Sequence, residues 1–208
     1  ERIAMRLKLN VTGLRELRER LEQIREKVGT TEPFLTEVAK IARKSFASMF
    51  NTEGRAGGSA WQPLEPSTIA DKTRLFREGA IRGRINGIRA RLRAGETNAG
   101  EVPGILIRTG ALKDSVARRG FKGNIHRISA DGRTLELGTN LPYAAVHEFG
   151  GTREYIIVPK RARALRWYDV NGWVFATMVR HPPLPRRSFL TITPEAWNKI
   201  IELADQIL

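Results

Sequence analysis

The stretch NLPYAAVHEFGG, from Asn140 to Gly151, sets His147 directly before Glu148, and chemistry could reside there. A zinc protease helix places a second His three residues after such a Glu. Two imidazoles one turn apart then meet one metal, and the Glu acts on a bound water. Here that position is Gly151. The chain has only His126, His147 and His181, in unrelated local contexts, and no Cys. A three-His metal site is therefore disfavoured, and His147 reads as a structural histidine bonded to backbone or to a neighbouring carboxylate.

Other constellations are as thin. No Gly-rich loop ends in Lys-Ser or Lys-Thr to cradle a phosphate, and GRINGIRA lacks the preceding strand that such a cradle needs. There is no Gly-x-Ser-x-Gly elbow. Glu16 and Glu19 lie on a repetitively charged helix, where solvation explains them. The sequence assigns no catalytic, cofactor-binding or metal-binding residue, and it reads as a chain that is not an enzyme.

Charge is the dominant compositional signal. The 208 residues carry a net +14, with 41% hydrophobic and 28% charged residues. Lys72 to Arg93 holds eight basic residues against one acid, a net of +7. Arg153 to Arg187 holds eight against two, a net of +6. Positive charge concentrated in this way suits an anionic partner, nucleic acid or an acidic protein surface, and a solvated face is the plainer alternative. Without Cys, nothing depends on disulfides, which fits assembly in a cytosol. No apolar run reaches the roughly 18 residues that span a membrane. The opening ERIAMRLKLN is too polar for a secretory signal, and the natural start is expected upstream of Glu1 or at Met5.

The elements that would position these residues follow from periodicity. Leu14, Leu17, Leu21, Ile24 and Val28 predict a helix capped by Thr12 and stopped at Gly29. Phe34, Val38, Ile41, Ser45 and Met49 predict a second helix, with Thr31 as its cap and Pro33 in its first turn, and the two should pair as a hairpin. Glycines and prolines make 51–67 irregular, pinned by Trp61 and Leu64, before a short helix capped by Ser67. The basic stretch at about 72–103 reads as an irregular insertion with an extended, partly ordered arm.

Thr109 caps another short helix. NIHRISA and RTLELGTN read as strands joined at Asp131-Gly132, and LPYAAVHEFG as one or two helical turns. REYIIVPK is a strand. LRWYDVNGWVFATMV is a hairpin turning at Asn171-Gly172, with Trp167 and Tyr168 near Trp173 and Phe175. RHPPLPRRSFL is extended. Thr193 caps a last helix that turns Ile200, Ile201, Ala204 and Ile207 inward. The expected class is α+β: an N-terminal helical hairpin, an antiparallel β-sheet and a C-terminal helix, in a single 1–208 domain.

Several fragments recur in a recognisable order: Phe50, Gly58, WQPL at Trp61 to Leu64, Thr68 and Lys72, then ILIRTGALKDSV, LELGTNLPYAAVHEFGG and PRRSFL. From about Phe46 to Leu208 this resembles the phage virion morphogenesis family, the tail-completion proteins of Mu-like and related tailed phages. The long basic stretch between Lys72 and Val102 departs from the shorter connection expected there. The resemblance implies a virion structural protein of the head–tail junction, assembled in the host cytoplasm. It implies a ring, commonly sixfold, between the portal-side connector or head-closure protein and the tail tube or terminator, with phage DNA passing through the lumen.

On that reading Tyr143, Ala144, Val146 and Phe149 supply an apolar face. Gly150-Gly151 permits a sharp turn, and His147 and Glu148 fix it by polar bonds. Trp61, Tyr143, His147, Glu148, Phe149, Arg186, Arg187 and Phe189 are the expected subunit or partner contacts. Arg82, Arg84, Arg89, Arg91 and Arg93 are expected to face the lumen or its DNA. No cofactor, metal or membrane is expected. The alternatives are a tail terminator capping the tube, or a free basic nucleic-acid-binding protein.

Overall fold

A computed structural model describes residues 19, 23, 31–77, 104–132 and 134–207. The helix expected over 12–28 therefore lies outside the described residues, apart from Glu19 and Gln23, which are helical. So does the pairing of that helix with the next one. The described residues fall into two compact units. Unit 1 draws on Glu1–Ala60, Leu112–Ala144 and Ser188–Leu208, and unit 2 on Trp61–Ala111 and Ala145–Arg187.

Unit 1 is built on helix α1, Glu32–Asn51. The sequence favours it because Pro33 sits in the first turn, where its missing N–H costs nothing, and no glycine interrupts the run. The helix ends where Glu53 and Gly54 take positive φ (51° and 90°) and the Gly54 N–H reaches back to the Met49 carbonyl at 2.9 Å. Thr31 occupies the cap position, but its side chain makes no cap bond. It donates instead to the Gly132 carbonyl, in the turn of the first hairpin.

The predicted stripe is buried at Phe34, Ser45 and Met49, and Leu35, Ala39, Ala42, Phe46 and Phe50 widen it. Ser45 is a polar member with a specific task. Its hydroxyl donates to the Thr191 carbonyl and accepts from the Thr193 N–H, both at 2.8 Å. That fixes the start of the C-terminal helix, whose first turn Thr193 caps through Ala196 N–H at 3.3 Å.

The other elements of unit 1 close around α1. Helix α3, Ala111–Ala117, buries Leu112 and Val116. Thr109 Oγ1 accepts from the Ala111 N–H at 3.3 Å, as its sequence position predicts. Strands β1, Asn124–Ile128, and β2, Leu135–Thr139, pair antiparallel from Asn124 opposite Thr139 to Ile128 opposite Leu135. The last helix, α5, spans Pro194–Ile207. Phe34 and Leu35 pack with Ile200 and Ala204, and Val38, Ile41, Ile128, Leu135 and Trp197 close around them. Phe50 and Phe189 meet with ring centroids 5.5 Å apart. Of the residues predicted to face inward on α5, Ile200 and Ala204 are buried and Ile201 is half-buried.

Unit 2 begins with the Trp61–Glu65 segment and helix α2, Pro66–Arg77. The helix starts one residue before the expected cap: Pro66 takes the first position, and Ser67 lies within the first turn. Lys72 on α2 donates to the Gly104 and Ile107 carbonyls, both at 3.1 Å. Helix α4, Ala144–Phe149, leads into three short strands and a fourth. These are β3, Tyr155–Ile157; β4, Leu165–Asp169; β5, Gly172–Ala176; and β6, Val179–His181. β3 pairs with β6 and β4 with β5, both antiparallel, and α2 packs on β4.

The α+β class with a C-terminal helix holds. Among the described residues, however, the strands form three two-stranded ladders and not one sheet. The β4–β5 register also moves the predicted turn by one residue. Asp169 stands opposite Gly172, so Val170-Asn171 makes the loop and Gly172, at φ 109°, opens β5. Tyr168 faces Trp173 directly, with rings 5.5 Å apart and nearly perpendicular. Trp167 pairs with Val174 and takes the other face.

Candidate functional site

The stretch that suggested chemistry proves to be one side of a backbone clamp in unit 2. α4 is short and ends at Gly150, where φ is 79°. The returning segment 182–187 passes so close that a Cβ on Gly150 would lie 3.0 Å from the Arg186 nitrogen. A Cβ on Gly151 would lie 2.9 Å from the Leu184 nitrogen. The glycine pair therefore answers to close approach as well as to the turn. Three bonds join the two segments. Gly151 N–H donates to the Leu184 carbonyl at 2.8 Å, Arg187 N–H to the His147 carbonyl at 2.8 Å, and Arg186 Nε to the Glu148 carbonyl at 3.3 Å. His147 and Glu148 thus take part in the turn through their backbone oxygens.

Arg187 completes the clamp. Its side chain is 5% exposed. Nε and Nη2 donate to the Gln62 carbonyl at 3.1 and 3.0 Å, and Nη2 also reaches the Pro63 carbonyl at 3.2 Å. One guanidinium so ties the PRRSF segment to the WQPL segment, and Trp61 beside it is buried. Arginine suits this place because its rigid fork serves two carbonyls at once and stays charged when buried. Burial pulls its pKa down from the ordinary arginine value.

His147 is pushed below the ordinary imidazole value, first by burial and then by the positive charge of Arg187. Both effects favour the uncharged ring. His126 is likewise lowered, by burial and then by Arg43 and Arg119. Arg43 Nη1 lies 2.9 Å from His126 Nδ1. Because a guanidinium only donates, Nδ1 must be the unprotonated acceptor. His181 stacks on Tyr155 at 4.8 Å, with Nδ1 2.7 Å from the Pro182 carbonyl. Among the described residues no group of three or more His, Asp or Glu could hold a metal ion. No described helix is long and apolar enough to cross a membrane.

The residues expected at an interface divide by burial. Trp61, Glu148, Arg187 and Phe189 are buried within the chain, at 7%, 2%, 5% and 0% exposure. Tyr143, Phe149 and Arg186 are exposed, and His147 is half-buried. The apolar face expected on the opening stretch is therefore split: Ala144 is buried and Val146 half-buried, while Tyr143 and Phe149 point to solvent. Arg82, Arg84, Arg89, Arg91 and Arg93 lie outside the described residues. At the start of that basic stretch, Arg74 binds Asp71 at 2.8 Å.

One feature had no counterpart in the sequence reading. Arg74 Cζ lies 4.7 Å and Arg166 Cζ 4.3 Å from the centroid of the Trp173 ring. The contact of Arg166 with Trp173 is a diagonal neighbour on the β4–β5 hairpin, so the correct register would have revealed it. The contact from Arg74 had no local signal.

This geometry is that of a built scaffold whose distinctive motifs hold one another by backbone bonds. Residues 108–208 match the phage virion morphogenesis family. No curated protein and no solved structure matches the chain. The matched region contains LELGTNLPYAAVHEFGG and PRRSFL, two of the three segments of the clamp, while the Gln62 and Pro63 carbonyls lie before it. The likeness to the phage virion morphogenesis family thus spans 101 of the 208 residues, just under half of the chain.

Proposed function

We propose that the protein is a structural component of the tailed-phage particle, a tail-completion or neck protein that forms a closed hexameric ring at the head–tail junction. The ring joins the tail to the portal-side connector and lets DNA pass, and the protein runs no reaction. The observation that supports this reading is the match over 108–208, coinciding with motifs whose polar groups are engaged in holding backbone: Arg187 on two carbonyls, and the Gly150-Gly151 pair against 184–187. Residues arranged in that way fix a shape. On this reading the basic segment Lys72–Arg93 lies at the lumen or a ring–ring interface, where repeated positive charge attracts phosphate without reading sequence.

Complementation tests the proposal. Phage lacking the gene should accumulate separate heads and tails, and added purified protein should restore joined particles. Normal joining without the protein would overturn it. Neutralising Arg82, Arg84, Arg89, Arg91 and Arg93 together should lower the yield of joined particles, and an unchanged yield would remove that segment from the role.

A further inference from the structure

In two ladders of unit 2 the strand alternation runs inverted. A lone antiparallel ladder normally turns polar residues to water and apolar residues inward. Along β5, Trp173 and Phe175 are 46% and 64% exposed, while Gly172, Val174 and Ala176 are half-buried. Across β3 and β6 the pattern is similar except at Tyr155, which is 43% exposed on the opposite face and stacks on His181. Ile156, Val158 and Met178 are more than half exposed, and Ile157 and Val179 between them are half-buried. Scattered apolar exposure is ordinary, but whole outward faces of this kind mark a contact surface.

Cations flank these strands along the chain. Arg153, Lys160, Arg161, Arg163 and Arg166 are exposed, and among the described residues none of them pairs with a carboxylate. Arg180, opposite Ile156, meets Glu154 only at 3.9 Å. Arg166 stands opposite Phe175 and lies over Trp173. Stacking engages the flat side of a guanidinium and keeps its in-plane N–H donors for an incoming carboxylate.

Three occupants are conceivable, and the observations separate them. A nucleic acid would satisfy the cations but leave Ile156, Val158 and Met178 in water. A second copy meeting this surface with the same surface would set cations against cations. Among the described residues, a second copy using another surface would offer Ile69, Tyr143, Phe149, Tyr155 and Val170, which are spread over separate segments and not gathered on one ladder face. We infer that the outward faces of β3–β6 and β4–β5 dock a different protein, whose contact surface is apolar at its centre and carries Asp or Glu around the rim. The inference deepens the reading of this chain as a particle component and rests on it.

The test uses particles of the phage that encodes the chain. Protein carrying Phe175→p-benzoylphenylalanine is assembled into particles and irradiated, and the cross-linked peptides are identified. The expected product joins Phe175 to another virion protein, at a peptide where Asp or Glu flanks apolar residues. Adding Arg161→Glu and Arg163→Glu should reduce that product roughly tenfold or more, because like charges then face each other. Exclusion of the doubly reversed protein from particles, with its melting temperature unchanged, counts as the same loss. Ile156→p-benzoylphenylalanine repeats the measurement from the other ladder. A cross-link to DNA, to another copy of this chain or to a basic peptide overturns the inference, as does no cross-link from either position in particles that contain the protein. Absence of the wild-type protein from particles would instead defeat the structural reading itself.

Discussion

Units 1 and 2 stabilise themselves by different means. In unit 1, helices α1 and α5 bring Phe34, Leu35, Ile200 and Ala204 together at 6% exposure or less, and the hairpin residues Ile128 and Leu135 cover them. In unit 2 the organising contacts are polar: Arg187 on the Gln62 and Pro63 carbonyls, Lys72 on Gly104 and Ile107, and the glycine pair against 184–187. Among the described residues, nine of the ten large exposed hydrophobics belong to unit 2. A closed apolar core needs no partner. A polar clamp bearing outward apolar faces holds a shape ready for one.

The largest expected effect comes from breaking the clamp. Arg187→Ala removes a buried guanidinium and takes the donor from the Gln62 and Pro63 carbonyls, and should cost about 3 kcal/mol in urea unfolding. Arg187→Lys should recover only part of this, since an ammonium lacks the fork. The corresponding cut in unit 1 is smaller. Ser45→Ala removes one hydroxyl from between Thr191 and Thr193 and should cost about 1.5 kcal/mol. Equal losses from the two would erase the distinction between a clamped unit and a packed one.

Acidification probes both units at once. His126 in unit 1 and His147 in unit 2 are each held below the ordinary imidazole value. As pH falls through about 6.5, the unfolded chain takes up protons before the folded one. Their contribution to stability is therefore full above that pH and declines as pH drops towards the folded-state values. Urea midpoints at about pH 7.5 and about pH 5.5 should show this loss. His147→Gln should reduce the pH dependence without abolishing it, because His126 remains. The smallest effect belongs to the exposed face: Phe175→Ser should change the stability of the isolated protein by no more than about 0.5 kcal/mol. A larger loss would mean that the residue supports the fold.

Local signals carried the sequence reading a long way. Pro33, the Asp131-Gly132 turn, the Thr109 and Thr193 caps and the course of 182–190 all follow from short-range chemistry, and the structure contains them. Shifts of one residue arose where two local rules competed. Pro66 outranked Ser67 as a helix start, and Gly172 opened a strand instead of ending a turn. Long-range choices were not legible. Nothing near Thr31 says that its hydroxyl turns to Gly132, and nothing near Ser45 says that it receives the Thr193 N–H. Arg187 is expected among the partner contacts, and only the tertiary path of the chain brings it to the Gln62 and Pro63 carbonyls. The Gly150-Gly151 pair was read correctly as a turn. Its second reason, the passage of 184–187 at contact distance, depends on residues more than thirty positions away.

Imaging the portal–tail region of purified particles by electron cryomicroscopy tests the central claim most directly. The account predicts density for this chain as a closed ring at the head–tail junction, with the strand faces of unit 2 against a different protein. Particles that are complete and infectious without any copy of the chain would contradict it.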